Sequence, residues 1–267
     1  MENFNFHTPK TIAEAVAARK AAKEGKFLAG GQSLLPVLKL ELAQPTDLVS
    51  LALLQKELTG VRLDGDYLVV GALTTHADVA ASSLVHQHIP ALGHLANGIG
   101  DAQVRNRGTL GGSVAHADPA ADYPAALVAL DATIKTDRRT IPVDGFFKGM
   151  FETVLADDEL ITEVRFKKPE KAGYAKFANP ASKYALAGVF VAKYGATARV
   201  AVTGASTVVF RLPAMEQALG KAYAAKSLDG IKVPEGDLVS ERDAATDYRA
   251  HLVAVMAKRA VEFSLKH

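Results

Sequence analysis

Apolar and polar residues alternate with two different periods along this chain, and the changes of period mark its elements. Thr11-Ile12-Ala13-Glu14 has the form of a capping box, in which a hydroxyl and a carboxylate satisfy free amides at a helix start. Ile12, Val16 and Ala17 follow at helical spacing as a buried face, and Gly25 is placed to end the helix in a left-handed cap. Lys26-Phe27-Leu28-Ala29 then reads as a short strand that runs into Gly30-Gly31-Gln32-Ser33, and Leu48-Val49-Ser50-Leu51 as a second strand. Further on, Val61-Arg62-Leu63 and Tyr67-Leu68-Val69-Val70 flank Asp64-Gly65, the pattern of a β-hairpin.

From Thr75 to Asn97 alanine, leucine and histidine dominate, which predicts two helices broken near Ile89-Pro90. A second glycine pair follows in Thr109-Leu110-Gly111-Gly112-Ser113. Ala120 to Leu130 reads as a helix, Ala132 to Thr136 and Ile141 to Val143 as strands around a turn, and Glu159 to Lys167 as a strand with apolar Leu160, Ile161, Val164 and Phe166. At Lys167-Lys168-Pro169-Glu170-Lys171 charge and proline replace apolar residues, as in a linker. Beyond it, Ala185–Tyr194, Thr197–Thr203 and Ser206–Arg211 predict an antiparallel sheet. Two helices follow, the last beginning at Thr246 with Tyr248, Leu252, Val255, Met256 and Phe263 on one face.

Composition narrows the class. A chain of 267 residues with 49% hydrophobic and 22% charged residues is globular and large enough for more than one core. Net charge is only +2 with lysine and arginine scattered, so no concentrated basic field exists for nucleic acid. The absence of cysteine excludes disulfides, thiolate catalysis and an iron–sulfur cluster ligated by this chain; any such cluster belongs to a partner. Met1 to His7 lacks the basic start and apolar run of a signal peptide, and no stretch of about 18 apolar residues is present, which predicts a cytoplasmic protein without a membrane span.

Each glycine pair is followed within two residues by serine and can present successive amides and a hydroxyl to an anion such as a pyrophosphate; each is equally a plain tight turn. Neither has the spacing of a P-loop or of a Rossmann fingerprint, and neither serine sits in a Gly-x-Ser-x-Gly elbow. His86, His88 and His94 are close in sequence, but no carboxylate or cysteine completes a ligand set, so no metal site is expected. His116 is a base, a flavin neighbour or a structural hydrogen bonder. Asp118 before Pro119 reads as a helix cap, which leaves Asp122 as the stronger ligand candidate.

Three segments carry a resemblance: AGGQSLLPVLKLELAQP, IGDAQVRNRGTLGGSVAHADPAADYPAAL and FFKGMFETVLADDELITEVRF, followed by DYRAHLVAVMAKRAV near the end. In this order and spacing they resemble the FAD-binding medium subunit of molybdenum hydroxylases of the carbon-monoxide dehydrogenase and xanthine dehydrogenase type. The resemblance implies an α+β protein: a vanillyl-alcohol-oxidase-type FAD-binding fold of two α/β subdomains, residues 1–55 and 56–168, then a C-terminal α/β domain of the CO dehydrogenase flavoprotein type, 169–267. It implies FAD here, and molybdopterin and [2Fe-2S] clusters on a large and a small partner subunit, in a dimer of heterotrimers. Electrons would leave through FAD to an external acceptor.

Carried over by position, Phe27, Leu28, Ala29, Gly30, Gly31, Gln32, Ser33 and Leu34 would wrap the pyrophosphate, with Thr109, Leu110, Gly111, Gly112 and Ser113 closing the other side. Asp122 would make a polar contact to the cofactor. Ile99, Leu160, Ile161 and Lys176 match flavin-lining positions, and Tyr184 stands where an aromatic residue can lie near the isoalloxazine. Lys183 departs from the small or acidic residue of many relatives. The lack of an NAD-binding insertion favours a quinone, a carrier protein or oxygen as acceptor. Two other readings fit the glycine turns alone: a stand-alone FAD-dependent oxidase, and a non-enzymatic anion-binding module.

Overall fold

Three sheets succeed one another along the chain in this computed structural model, which describes residues 3–241 and 244–267. Met1 and Glu2, with which the signal-peptide reading began, lie outside the described residues. Strands β1 (Asn5–His7), β2 (Gly25–Leu28) and β3 (Asp47–Ser50) form a parallel sheet in the order β1-β3-β2. Parallel neighbours need crossovers, which contain helices α1 (Ile12–Ala21) and α2 (Leu34–Lys39). The Thr11 hydroxyl accepts the Glu14 amide at 3.1 Å, as the capping box predicts, while the Glu14 carboxylate takes the amide of Lys10. Ala15 and Arg19 form the buried face with Ile12 and Val16 at its margin; Ala17 is exposed. Gly25 is not the cap: α1 ends at Ala22 in extended backbone, and Gly25 opens β2 with the Arg19 side chain lying across it.

A short helix α3 (Gln55–Leu58) leads into the second sheet. Here β4 (Val61–Asp64), β5 (Tyr67–Gly71), β6 (Thr133–Thr136), β7 (Thr140–Pro142) and β10 (Ile161–Lys167) run antiparallel in the order β4-β5-β10-β6-β7, with β8 (Phe147–Gly149) and β9 (Glu152–Thr153) as a separate hairpin. Between β5 and β6 come α4 (His76–Ala81), α5 (Ser83–His88), α6 (Pro90–Asn97), α7 (Ala102–Arg107), α8 (Leu110–His116) and α9 (Tyr123–Ala129). Thr75–Asn97 thus holds three helices rather than two. The additional break is at Ser82, whose extended backbone ends α4 and whose hydroxyl caps α5. Asp118 caps no helix either; it accepts the Ala120 amide at 2.8 Å in a local turn, and α9 starts after Asp122.

The third sheet, β11 (Lys171–Ala178), β12 (Ala185–Tyr194), β13 (Thr197–Thr203) and β14 (Phe210–Arg211), is antiparallel in chain order. β11 is a strand that the sequence pattern does not predict: it begins at Lys171, the last residue of the predicted linker, and pairs with β12 along its length. Alternation splits this sheet between two cores. Tyr174, Phe190, Ala192 and Ala201 join the interior of the second sheet and its helices, while Ala187, Val189, Val191, Val200 and Val202 pack with α10 (Pro213–Lys221) and α11 (Thr246–Lys266). A sheet covered on both faces accounts for the unbroken apolar run of β12. On α11 the buried face is Arg249, Leu252, Val253, Met256, Ala257 and Ala260, with Tyr248 outside. The helix is rotated from expectation because backbone carbonyls draw Arg249 inward, at Leu186 (2.8 Å) and Gly204 (2.6 Å).

Candidate functional site

The first glycine turn leaves β2 and enters α2. Gly31 has φ +74°, a conformation that glycine adopts without strain. Gly30 is needed for another reason: a Cβ there would lie 1.9 Å from the Arg107 carbonyl oxygen and 2.9 Å from Gly108 Cα. The two glycine segments therefore abut, and the space at Gly30 is taken by protein backbone, not reserved for a ligand. Across the same junction a Cβ on Gly112 would stand 3.8 Å from that of Ala29.

The two turns differ in what they offer. The amides of Gly30, Gly31, Gln32 and Ser33 meet no acceptor among the described residues, and Ser33 does not use its hydroxyl to cap α2. Thr109–Ser113, by contrast, is the start of helix α8 and not an open loop. Its amides from Leu110 onward are engaged: Leu110 with Thr74 O, Gly111 with Ala72 O, Gly112 with the Thr109 hydroxyl, and Ser113 with Thr109 O. The run of consecutive open donors for an anion is the first turn, with the second as its wall.

The remaining predicted residues fall into two groups. Phe27, Ala29 and Leu160 share the small core of the first sheet, and Ile99, Leu110 and Ile161 share the larger one. Gly98, next to Ile99, lies against Lys176: a Cβ on it would be 3.9 Å from Lys176 Cε. Lys176 in turn pairs with buried Asp122, Nζ standing 2.9 Å from Oδ1 and 3.0 Å from Oδ2. Burial pushes the Asp122 carboxyl upward, while the Lys176 charge and a hydroxyl from Tyr174 oppose that shift. Tyr184 stands 45% exposed at the hairpin between β11 and β12, its phenol raised by burial and by Asp118 and Asp122. No ring or hydrogen-bond contact joins its side chain to either glycine turn among the described residues. His116 lies against the Phe151 ring with centroids 5.0 Å apart, and burial lowers its pKa. Sequence reasoning missed Tyr174, whose only signal was alternation with Ala172 and Lys176.

Leu160 and Ile161 owe their placement to a carboxylate clamp. Glu159 accepts Arg139 Nε and Nη2, both at 2.7 Å, and the Thr136 hydroxyl at 2.8 Å, while Asp137 takes the Leu160 amide at 2.8 Å. The Arg139 guanidinium holds Glu159 down at about 2, from an ordinary value of 4.5. A depressed carboxylate contributes stability above its unfolded pKa and loses it as pH falls through the folded one. Glu159→Gln should therefore cost about 2 kcal/mol at neutral pH, and the difference from wild type should shrink from about pH 4.5 toward pH 2. Urea unfolding over that range checks it; a gap independent of pH would show that the charge is not what holds the clamp.

Residues 2–169 match the FAD binding domain in molybdopterin dehydrogenase. The chain belongs to this family. It is 37% identical over 279 residues to the carbon monoxide dehydrogenase medium chain of Hydrogenophaga pseudoflava, covering 97% of this chain and 96% of that one. It is 34% identical over 273 residues to the nicotine 6-hydroxylase medium subunit of Paenarthrobacter nicotinovorans, covering 96% and 95%. A solved structure of carbon monoxide dehydrogenase from Hydrogenophaga pseudoflava, lacking the Mo-pyranopterin moiety, superposes with TM-score 0.85 at 34% identity over 99% of this chain and 98% of its own. As a member of the family the chain is an oxidoreductase subunit of α+β fold with FAD as cofactor. No helix among the described residues is long and apolar enough to cross a membrane.

Proposed function

We propose that this chain is the electron-exit subunit of a cytoplasmic molybdenum-containing hydroxylase. It would receive electrons from [2Fe-2S] clusters on a small partner subunit, after substrate oxidation on a large molybdopterin subunit, and pass them to an external acceptor. Bound FAD supplies the exchange of electrons singly or in pairs that such a relay needs. The observation that carries the reading is the row of four unengaged amides at Gly30–Ser33, walled by the second glycine segment. Oriented backbone N–H groups form an anion nest, and the Ser33 hydroxyl adds a donor for a pyrophosphate. Thr109 to Ser113 would shape the opposite wall through contact, since the amides of Leu110 to Ser113 are spent within the chain. Ile99, Leu160 and Ile161 would exclude water from the flavin, and Asp122 with Lys176 would supply its polar contact.

The absence of cysteine supports clusters on a separate polypeptide. Each proposed unit, 1–55, 56–168 and 169–267, carries one of the three large sheets. The test is to add FAD to the purified chain and then mix it with the two neighbouring subunits. Flavin absorption that is bleached by the substrate-reduced partners, and not by substrate alone, is the expected result. Turnover of an organic substrate by the lone chain would overturn the reading in favour of a self-sufficient oxidase.

A further inference from the structure

Asp122 opens α9, yet its carboxylate is held from the C-terminal sheet. The Tyr174 hydroxyl donates to Oδ1 at 2.5 Å, and Lys176 reaches both oxygens. Tyr174 and Lys176 are two residues apart on β11 and so share one face of the strand. The neighbouring strand makes room for the hydroxyl: Gly188, register partner of Lys176, would place a Cβ 2.6 Å from it. From β13 the Thr203 hydroxyl donates to Pro119 O at 2.9 Å and Ala121 O at 2.6 Å, which holds the backbone leading into Asp122. The matched FAD-binding domain ends at residue 169, so these groups lie beyond it.

A buried carboxylate is costly unless both paired and hydrogen-bonded. Lys176 provides the charge; the phenol is a neutral donor that favours the ionised form. Burial and the adjacent carboxylate raise the Tyr174 phenol well above its usual value, so it keeps its proton and donates.

We propose that Tyr174 is a positioning residue for the flavin: its hydroxyl keeps Asp122 ionised and aimed at Lys176, so that the cofactor site presents a balanced pair instead of a lone cation. This rests on the reading that Asp122 contacts the cofactor. Reduction adds electron density to a flavin, which an uncompensated cation favours. With the hydroxyl removed, Asp122 loses one of the donors that oppose burial and is aimed less firmly at Lys176, so the Lys176 charge is less well balanced and the flavin becomes easier to reduce.

The experiment compares Tyr174→Phe, Asp122→Asn and the double variant of the full-length, FAD-loaded chain by equilibrium reduction against indicator dyes. Tyr174→Phe should shift the flavin potential upward, in the same direction as Asp122→Asn, and the double variant should match Asp122→Asn because a neutral amide leaves no charge to hold. Gly188→Ala, which displaces the hydroxyl without deleting it, should give an upward shift as well and serves if Tyr174→Phe does not fold. An unchanged potential in Tyr174→Phe and Gly188→Ala beside a shifted Asp122→Asn would overturn the role of Tyr174 and leave the placement of Asp122 standing. If Asp122→Asn changes neither potential nor FAD affinity, the placement of Asp122 at the cofactor fails, and the proposal with it.

Discussion

Gly30→Ala is expected to emerge from purification without its flavin. The added methyl would lie 1.9 Å from the Arg107 carbonyl oxygen, a backbone atom that moves only if the segment around Gly108 moves. Overpacking of this kind costs about 1–3 kcal/mol. Taken from the binding step, that weakens FAD about 5- to 140-fold, since 1.4 kcal/mol is a factor of ten. The substitution also pushes apart the wall and the donor row, so the amides of Gly31, Gln32 and Ser33 lose their facing surface. Gly236→Ala is the control, because nothing lies within 4 Å of a Cβ built there. Titration of both variants with FAD, followed by flavin fluorescence, decides the matter. Wild-type affinity in Gly30→Ala would show that the contact between the glycine segments is irrelevant to the cofactor.

Arg249→Met should be the most destabilising single change on the last helix. The side chain is 1% exposed, and its Nη1 donates to the carbonyls of Leu186 and Gly204 while Nη2 pairs with Glu241 Oε2 at 2.6 Å. Methionine fills much of the volume but leaves both carbonyls buried and unpaired, at about 1–3 kcal/mol each. A total loss of about 3–5 kcal/mol follows. The carboxylate contributes little, because the Glu241 side chain is 65% exposed and a solvated partner adds about 0–1 kcal/mol. Glu241→Ala should therefore be mild in the denaturant titration that finds Arg249→Met severe; equal losses would mean that the ion pair, not the carbonyls, is what Arg249 provides. The damage should reach the cofactor as well. Gly204 donates its amide to Pro119 O at 2.9 Å, on the segment that leads to Asp122.

How much of this was legible depended on whether a residue's role is local. The Gly60–Gly71 hairpin and the Thr11 cap could be read because neighbours in sequence determine them. Both glycine pairs could be found, but not their difference. Gly111 and Gly112 disfavour a helix on propensity, and the Thr109 cap starts one there together with contacts to Ala72 and Thr74 on another segment. β11 was hidden because Gly173 weakens a strand pattern; its lack of a side chain serves α11, where the Ala260 carbonyl oxygen would sit 1.8 Å from a Cβ. Arg249 was invisible as a core residue because its acceptors lie 63 and 45 positions away. Asp122 could be carried over from the family resemblance. Lys176 could be carried over by position too, but neither its pairing with Asp122 nor the part of Tyr174 could, since both residues belong to a strand whose existence had not been inferred.

The two-sided burial of the third sheet also bears on the order in which the protein can be made. The interior around Leu68, Leu92 and Leu127 is closed by Tyr174, Phe190, Ala192 and Ala201. A chain leaving the ribosome emerges N-terminus first and usually folds one unit at a time. Here the larger core cannot seal until residue 201 is in place, so the nascent protein carries an open apolar face through much of its synthesis.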